Sequence, residues 1–332
     1  MRVFLTGGTG FIGRALTRQL LARGWSVTAL VRRPDSAEAR EIAAKGAILA
    51  SGDVTDPDSM RKPMTGADIV IHNAGVYEFG VTGAGRERMR AINVDGTANT
   101  IGLAHESKIG RIVHVSSIVA LGTTTDVADE SHVPTLPLCT WYEQTKAKAH
   151  EIALEFQRRG APVVIACPAG VMGPGDHSGL GYLMRMYLRG MLPPFLFGSD
   201  GTRAHVHVDD CAEAIALVAE KGRPGESYIL SGGTLRHGDT VALWRQAPGG
   251  LPHVGDMPRP VAHLFCALAE PVQRLLGLPM VLNREFVHAA HSHWAYSGAK
   301  AERELGARFR PVEQVVLDTL WAEHALLKRK KA

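Results

Sequence analysis

A tyrosine and a lysine are spaced for joint acid-base chemistry in the segment 140–151, TWYEQTKAKAHE. Tyr142 and Lys146 are four positions apart, so on a helix their side chains share one face. Free tyrosine has a pKa of about 10, which is high for proton transfer at neutral pH, and a neighbouring cation would lower that pKa. Ser117, at the end of the apolar run RIVHVSS, could hydrogen-bond the same substrate oxygen. The three residues therefore predict proton transfer to or from a substrate oxygen.

A glycine-rich turn near the N-terminus predicts a phosphate site. The segment 6–13, TGGTGFIG, follows a predicted strand and opens a predicted helix. Glycine lets backbone N–H groups approach a pyrophosphate closely, and the helix N-terminus adds a partial positive charge. In this strand-turn-helix context we predict dinucleotide binding rather than an ordinary tight turn. The predicted contacts are Gly7, Thr9, Gly10, Phe11, Ile12 and Gly13.

The end of the second predicted strand, LVRRP, favours one form of the dinucleotide. Chains that prefer NAD usually end this strand in an acidic residue, which pairs with the adenosine ribose. Here Val31 takes that place and Arg32 and Arg33 follow. Two guanidinium groups can bind a 2′-phosphate, so NADP(H) is favoured and NAD(H) is the alternative cofactor. The other interpretation is that both arginines only face solvent.

Two later strand ends add predicted cofactor contacts. Asp53 and Val54 follow the third strand, where a short acid can hold the adenine amino group. Asn73, Ala74 and Gly75 follow the fourth, where small residues let the cofactor ribose lie against the backbone. All these residues come after strands, at the edge of a parallel sheet where ligands bind.

The elements that must position these residues alternate between apolar runs and amphipathic segments. We predict an α/β fold, a Rossmann-type doubly wound parallel sheet with helices on both faces and a smaller interleaved C-terminal cap. The predicted strands are 2–6, 26–31, 47–51, 67–73, 111–117 and 162–167, and the main helices are 12–23, 37–45, 86–107 and 141–159. The predicted domains are 1–168 for the NADP-binding domain, 169–204 for the first cap segment, 205–235 for the return to the sheet, 236–327 for the mainly helical cap and 328–332 for a basic tail.

Composition excludes several classes of protein. The 332 residues are 45% hydrophobic and 21% charged, as in a globular protein with a large core. The net charge of +4 depends on one dense basic run, 328–331, and only 6% of residues are aromatic, so we expect a solvated tail and no nucleic-acid partner. The four cysteines lack zinc-ligand spacing, so we expect no metal, no disulfide framework and a cytoplasmic location. We find no signal peptide, and no apolar run reaches the roughly 18 residues of a membrane span.

Taken together, the motifs resemble the extended short-chain dehydrogenase/reductase family, within the NAD-dependent epimerase/dehydratase superfamily, over about the first 235 residues. Within that family, the sequence most resembles the dihydroflavonol reductase and 3β-hydroxysteroid dehydrogenase branch. The resemblance rests on TGGTGFIG, GDVTD, HNAG, NVDGT (93–97), VSSIVALG (115–122), Tyr142-x-x-x-Lys146, PAGVMGPG (168–175) and HVDDCAEAI (207–215).

The resemblance implies roles for further residues. It selects Ser117 as catalytic over Ser116, which strand alternation sends to the opposite face and which we place in the cofactor site. It gives Lys146 a second role on the nicotinamide ribose, and it matches Asn93 to the helix-interrupting asparagine near the active site. A satisfied helix-interior amide is the other interpretation of Asn93. It also adds Pro168, Gly170 and Val171 to the cofactor site and implies a homodimer through helices 86–107 and 141–159.

The sequence gives mixed indications of the substrate class. Sugar-nucleotide members commonly carry an asparagine where this chain has Gly170, yet Arg203 matches an arginine that those members use on the diphosphate. Leu, Met and Phe are frequent after residue 168, which suits an apolar ligand, although such stripes are more often core. We expect Tyr77, Met172 and Arg203 to join Ser117 and Tyr142 at the substrate.

Three functions are compatible with these observations. The first is an NADP(H)-dependent oxidoreductase that reduces a ketone or aldehyde, or oxidises the corresponding alcohol, on a fairly apolar small molecule. The second is a nucleotide-sugar epimerase or dehydratase with tightly bound NAD(P). The third is a non-catalytic NADP-sensing protein, against which the intact Ser117, Tyr142 and Lys146 argue.

Overall fold

The computed structural model describes residues 1–192, 195–249, 255–277, 280 and 282–329. Residues 330–332 of the predicted basic tail lie outside the described residues. The strands are β1 (Arg2–Thr6), β2 (Ser26–Val31), β3 (Ile48–Ser51), β4 (Ile69–His72), β5 (Arg111–Val115), β6 (Val163–Pro168), β7 (Gly170–Met172), β8 (Phe195–Leu196), β9 (Thr202–His207), β10 (Ser227–Leu230), β11 (Thr234–Arg236), β12 (Gly255–Asp256) and β13 (His293–Trp294).

The helices cover most of the remaining chain. They are α1 (Phe11–Ala22), α2 (Ala37–Ala44), α3 (Pro57–Met64), α4 (Ala84–Arg90), α5 (Gly96–Glu106), α6 (Trp141–Arg158), α7 (Gly179–Leu188), α8 (Val208–Lys221), α9 (His237–Trp244), α10 (Arg259–Leu275), α11 (Arg284–Ala290), α12 (Ala299–Leu305) and α13 (Val312–Arg329). A π-helical turn, Ala91–Asp95, joins α4 to α5, and a 3₁₀ turn, Ile118–Leu121, follows β5.

The central sheet confirms the predicted fold. Seven strands of the described chain pair in parallel in the order β10-β6-β5-β4-β1-β2-β3. Helices cover both faces, with α1 packed against α8 and α5 against α6. Strand order reverses between β1 and β4, where Thr6 is paired with His72. In a doubly wound sheet the ligand crevice lies at that reversal, at the carboxyl ends of the strands.

The start of α6 is set by local chemistry. The Thr140 hydroxyl accepts a hydrogen bond from the Glu143 N–H (3.1 Å), and the Glu143 carboxylate accepts one from the Thr140 N–H (3.2 Å). This capping box satisfies N–H groups that would otherwise lack partners at the helix end. It makes Trp141 the first helical residue and so places Tyr142 in the first turn.

A second, smaller sheet is built on β9, the strand with which β11, β13 and β7 all pair. The sequence did not predict these strands: β7, β11 and β13 have only two or three residues, too few to show alternation, and the six-residue β9 was not recognised. The chain after residue 236 also returns to the main sheet, since α12 packs against β10 and α8. Within the described residues, no helix combines the length and apolar character needed to cross a membrane.

Candidate active site

A cavity of about 490 Å³ extends from the glycine loop to Tyr142, at the carboxyl ends of the central strands. Such a volume is typical of a small-molecule or cofactor site. Of the predicted site residues, the structure places the following around it: Gly7, Thr9, Gly10, Phe11, Ile12, Arg32, Asp53, Val54, Asn73, Ala74, Gly75, Tyr77, Ser116, Ser117, Tyr142, Pro168, Gly170, Val171, Met172 and Arg203. Gly13, Arg33, Asn93 and Lys146 do not line it.

The glycine loop has no room for side chains. Gly7 has φ +70°, and a Cβ there would lie 2.7 Å from the Asn73 carbonyl oxygen. A Cβ at Gly13 would lie 2.0 Å from the Gly7 carbonyl oxygen. Asn73 holds the loop in place, since its Nδ2 donates to that same Gly7 oxygen (3.2 Å). These contacts explain why glycine is needed although Gly13 does not itself line the cavity.

The first turn of α1 fits an anionic group. Gly10 is its N-cap and supplies no side-chain acceptor, and no acidic residue lies in the first turn. The N–H groups of a first helical turn lack intrahelical acceptors and carry a partial positive charge. The donor set therefore suits a pyrophosphate, and the chain's own residues are consistent with a bound dinucleotide.

The two arginines after β2 are not equivalent. Both are exposed, but of the two only Arg32 lines the cavity. The last residue of β2 is the buried Val31, which carries no acidic group. Asp53 also borders the cavity, and its Oδ1 accepts from the Thr55 N–H (2.9 Å) and hydroxyl (2.8 Å). The second oxygen of Asp53 is the one that can face a ligand.

Tyr142 keeps its proton in this structure. Desolvation by the surrounding protein is the main cause that raises the pKa of Tyr142, and the neighbouring Tyr77 hydroxyl raises it further. Interaction with the Ser117 hydroxyl opposes this shift. Burial thus outweighs the lowering of the Tyr142 pKa that is predicted from Lys146.

Lys146 does not line the cavity, and its ammonium is bonded to the end of β5. Its side chain is buried, and its Nζ donates to the carbonyl oxygen of Val115 at the end of β5 (3.1 Å). The pKa of Lys146 falls to about 8, because burial disfavours the charged ammonium. The sequence predicts that Lys146 and Tyr142 share one helix face. The position of the Lys146 ammonium is fixed by its hydrogen bond to the Val115 carbonyl oxygen.

The two serines face different partners. The Ser116 hydroxyl is paired with Nδ1 of the buried His150 (2.9 Å), which turns it toward the protein interior. Ser117 is extended, with φ −168°, and caps the 3₁₀ turn through the Val119 N–H (3.4 Å). Only Ser117 interacts with the Tyr142 hydroxyl. This geometry supports Ser117 over Ser116 as the residue that contacts a substrate oxygen.

Asn93 holds a loop and does not reach the cavity. It lies in the π-helical turn, so the predicted helix 86–107 is divided there. Its Oδ1 accepts from the Val76 N–H (2.7 Å), and its Nδ2 donates to the Val76 carbonyl (3.0 Å) and to the Thr145 hydroxyl (3.1 Å). These bonds join the strand end after β4 to α6, so Asn93 positions the loop that carries Tyr77.

The substrate end of the cavity is lined by aromatic groups on one side. The ring of Tyr77 meets that of Tyr142 edge-on, with centroids 4.7 Å apart, and it contacts Phe79 at 5.2 Å. Arg203 lies across the cavity with its guanidinium over the Trp294 ring, 4.4 Å from the centroid. Arg203 has no carboxylate partner among the described residues. The site therefore offers an apolar wall and one positive charge.

Sequence reasoning missed several cavity residues, among them Asp176, Ser178 and His205. Asp176 is buried, accepts hydrogen bonds from the N–H (2.7 Å) and hydroxyl (2.8 Å) of Ser178, and has its pKa raised by burial. These loop residues followed no period. His205 could have been predicted, because in a strand it shares a face with Arg203.

His205 also explains a departure from sugar-nucleotide relatives. A Cβ at Gly170 would lie 2.8 Å from Nδ1 of His205 and 3.2 Å from the Ala204 carbonyl oxygen. An asparagine at position 170 would therefore require His205 to move.

Comparison with known proteins identifies the family. The model of the NAD dependent epimerase/dehydratase family matches residues 3–231. The chain belongs to this family and is an NAD(P)-binding oxidoreductase of the extended short-chain dehydrogenase/reductase type.

Individual relatives cover almost the whole chain. It is 33% identical to the 4-hydroxy-2-methyl-3-oxo-4-farnesyl-3,4-dihydroquinoline-1-oxide ketoreductase of Stigmatella aurantiaca, over 96% of both chains. Among solved structures it resembles gox2253, with a TM-score of 0.81, 30% identity and 98% of each chain covered. It also resembles DesIV, the dTDP-glucose 4,6-dehydratase of Streptomyces venezuelae solved with NAD and TYD, with a TM-score of 0.74, 25% identity and coverage of 98% and 97%.

Proposed function

We propose that the protein is an NADP(H)-dependent oxidoreductase that reduces a ketone or aldehyde on a fairly apolar small molecule, or oxidises the corresponding alcohol. The observation that carries the proposal is the position of the Tyr142 phenol, which lines a cavity together with Ser117 and the glycine loop and contacts the Tyr77 ring edge-on. A group that keeps its proton until the transition state is a suitable general acid for carbonyl reduction.

The proposed mechanism assigns one task to each residue. Bound NADPH supplies the hydride that adds to the carbonyl carbon. The hydroxyl of Tyr142 donates its proton to the carbonyl oxygen, and Ser117 holds that oxygen by a hydrogen bond. Together the two transfers convert the carbonyl to an alcohol. Lys146, held at the strand end by Val115, is proposed to bind the ribose hydroxyls, and its charge favours the Tyr142 phenolate that the transfer leaves.

The cofactor preference rests on Arg32. Its place at the cavity, with no acidic residue at the end of β2, supports NADP(H) over NAD(H). Arg33 contributes less because it does not line the cavity. The other predicted cofactor contacts that line the cavity are proposed to hold the dinucleotide along it.

The substrate preference rests on the apolar side chains that line the cavity. Tyr77, Met172 and Leu180 present apolar surface to the cavity, which suits a carbonyl carried on an apolar skeleton. The name of the Stigmatella relative, a ketoreductase for a farnesyl-bearing quinoline oxide, is consistent with this preference.

A nucleotide-sugar epimerase or dehydratase is the second candidate, and Arg203 favours it. Its guanidinium faces the cavity with no carboxylate partner among the described residues, as a diphosphate site requires. Gly170 weighs against this function, because His205 occupies the space of an asparagine side chain.

Cofactor turnover separates the two candidates. The purified protein is mixed with NADPH and aromatic or aliphatic carbonyls, and absorbance of the nicotinamide is followed. We expect stoichiometric NADPH consumption. A tightly held NAD that does not exchange, with no net consumption, would refute the reductase proposal. The homodimer stays a prediction, which sedimentation of the same sample tests. The cytoplasmic location also stays a prediction.

A further inference from the structure

Helix α10 exposes an unusual amount of apolar surface. Val261, Leu264, Leu268, Val272 and Leu275 are between 51% and 86% exposed. At about 100° per residue these side chains lie on one side of the helix. The exposed Phe265 and Leu276 extend the same face. Isolated exposed leucines are common, but a continuous stripe along a whole helix marks an interaction surface.

The stripe is not the side that packs on the protein. The residues of α10 that are buried are the small Ala262 and Cys266, together with Gln273. Ala262 and Cys266 form a small cluster with Val287 of α11. The helix thus uses a narrow face of small side chains to reach the core and leaves its large aliphatic side chains outside.

A row of aromatic rings connects this helix to the active site. Neighbouring centroids are 6.4, 6.5, 6.4, 5.2 and 4.7 Å apart along the row, which runs Phe265, Phe197, Phe286, Phe79, Tyr77 and Tyr142. The apolar helix face and the proposed proton donor are therefore joined by one row of packed aromatic rings.

The flank of α10 carries positive charge. Exposed Arg86, Arg274 and Arg284 line a surface depression beside the helix. The carboxylates there are already engaged: Glu270 pairs with Arg274 (2.7 Å), and Glu285 accepts from the N–H groups of Gly80 (2.7 Å) and Trp141 (3.0 Å). Within the part of the chain that is described, Arg86 and Arg284 form no ion pair.

We propose that α10 docks the enzyme in the plane of an anionic phospholipid surface and that lipophilic substrates pass from that surface into the cavity at its exposed Tyr77 end. A helix with a strongly apolar face and arginines at its polar edge lies in the headgroup region, with its apolar face toward the acyl chains. Docking rests on α10 and the arginines alone. Substrate entry rests in addition on the proposed reductase function.

A second copy of the chain is the less favoured occupant. A two-fold contact places the same patch against itself. It would bring two arginine-edged faces together while Glu270 and Glu285 are already engaged, whereas anionic headgroups complement that charge.

Vesicle binding tests the docking. The full chain is sedimented with vesicles of phosphatidylcholine, alone or mixed with phosphatidylglycerol. We expect binding to the mixed vesicles and an at least tenfold loss in the double variant L264E/L268E, since glutamates on the apolar face oppose insertion. Arg284→Gln should lose only the preference for phosphatidylglycerol. Val127→Glu, at an exposed residue outside α10, should bind as the wild type does.

Two further measurements keep the outcomes apart. All variants should consume NADPH with a water-soluble carbonyl at the wild-type rate, which shows that they are folded. Only L264E/L268E should lose turnover of a lipophilic ketone presented in vesicles. Vesicle binding without any NADPH turnover would overturn the reductase proposal and leave the docking standing. Equal binding by wild type and L264E/L268E, or a wild type that ignores vesicles while L264E/L268E breaks a dimer, would overturn the docking.

Discussion

The two arginines after β2 provide a matched test of cofactor choice. Arg32 lines the cavity and Arg33 does not, although both are exposed and adjacent in sequence. A hydrogen bond to a charged group contributes about 1.5–3 kcal/mol, which corresponds to roughly a 10- to 150-fold change in affinity. Because Arg32 is exposed and screened by solvent, we expect the lower end of that range for Arg32→Ala, a loss of about tenfold in NADPH affinity.

The assay is titration of NADPH and NADH into each variant, followed by nicotinamide fluorescence. Arg32→Ala should weaken NADPH alone and leave NADH unchanged, because NADH lacks the 2′-phosphate. Arg33→Ala is the control and should change NADPH affinity by less than about twofold. Raising the ionic strength should narrow the difference between the two cofactors in the wild type. Equal loss for NADH and NADPH in Arg32→Ala, or a larger loss in Arg33→Ala, would refute this assignment.

Three other predictions concern the site and the core. Tyr142→Phe should reduce kcat by at least about a hundredfold, while NADPH affinity measured by titration stays near the wild-type value. Gly13→Ala should abolish cofactor binding, since its Cβ would lie 2.0 Å from the Gly7 carbonyl oxygen, whereas Gly110→Ala, whose Cβ would lie 3.9 Å from the Asp68 carbonyl oxygen, should bind normally. His114→Leu should make the protein less sensitive to acid, as measured by denaturant unfolding at several pH values.

The sign for His114 follows from its burial, which lowers its pKa well below the ordinary 6.5. Neither ring nitrogen has a hydrogen-bond partner among the described residues. Below pH 6.5 the unfolded chain takes up a proton that the folded chain refuses, so stability falls with pH. At pH 5, below the ordinary pKa of 6.5, this effect of His114 lowers the free energy of unfolding. His114→Leu should remove that loss and be nearly neutral at pH 8.

Each of these predictions can fail clearly. Retained turnover in Tyr142→Phe would exclude the phenol as the proton donor. Normal cofactor binding by Gly13→Ala would show that the loop can yield, and parallel stability curves for His114→Leu and wild type would show that this ring is not a source of acid sensitivity.

The alternating strand and helix pattern determined the central sheet from sequence alone. Buried parallel strands require apolar runs, and the residues that follow each strand meet at one edge of the sheet. For this reason the glycine loop, Arg32, Asp53 and Asn73 could be placed around one cavity before any coordinates were known. The capping box at Thr140 likewise sets where α6 begins through contacts within a few residues of the chain.

Tertiary structure decided what local spacing could not. The four-residue spacing put Tyr142 and Lys146 on one helix face, but only the fold shows that the ammonium is bonded to the Val115 carbonyl at the end of β5. Arg32 and Arg33 were equivalent in the sequence until the cavity wall separated them. The aromatic row from Tyr142 to Phe265 joins residues far apart in the chain, so no periodicity could reveal it. Local propensity acts over a few residues, whereas burial, pKa and pocket shape depend on whichever distant segments the fold brings together.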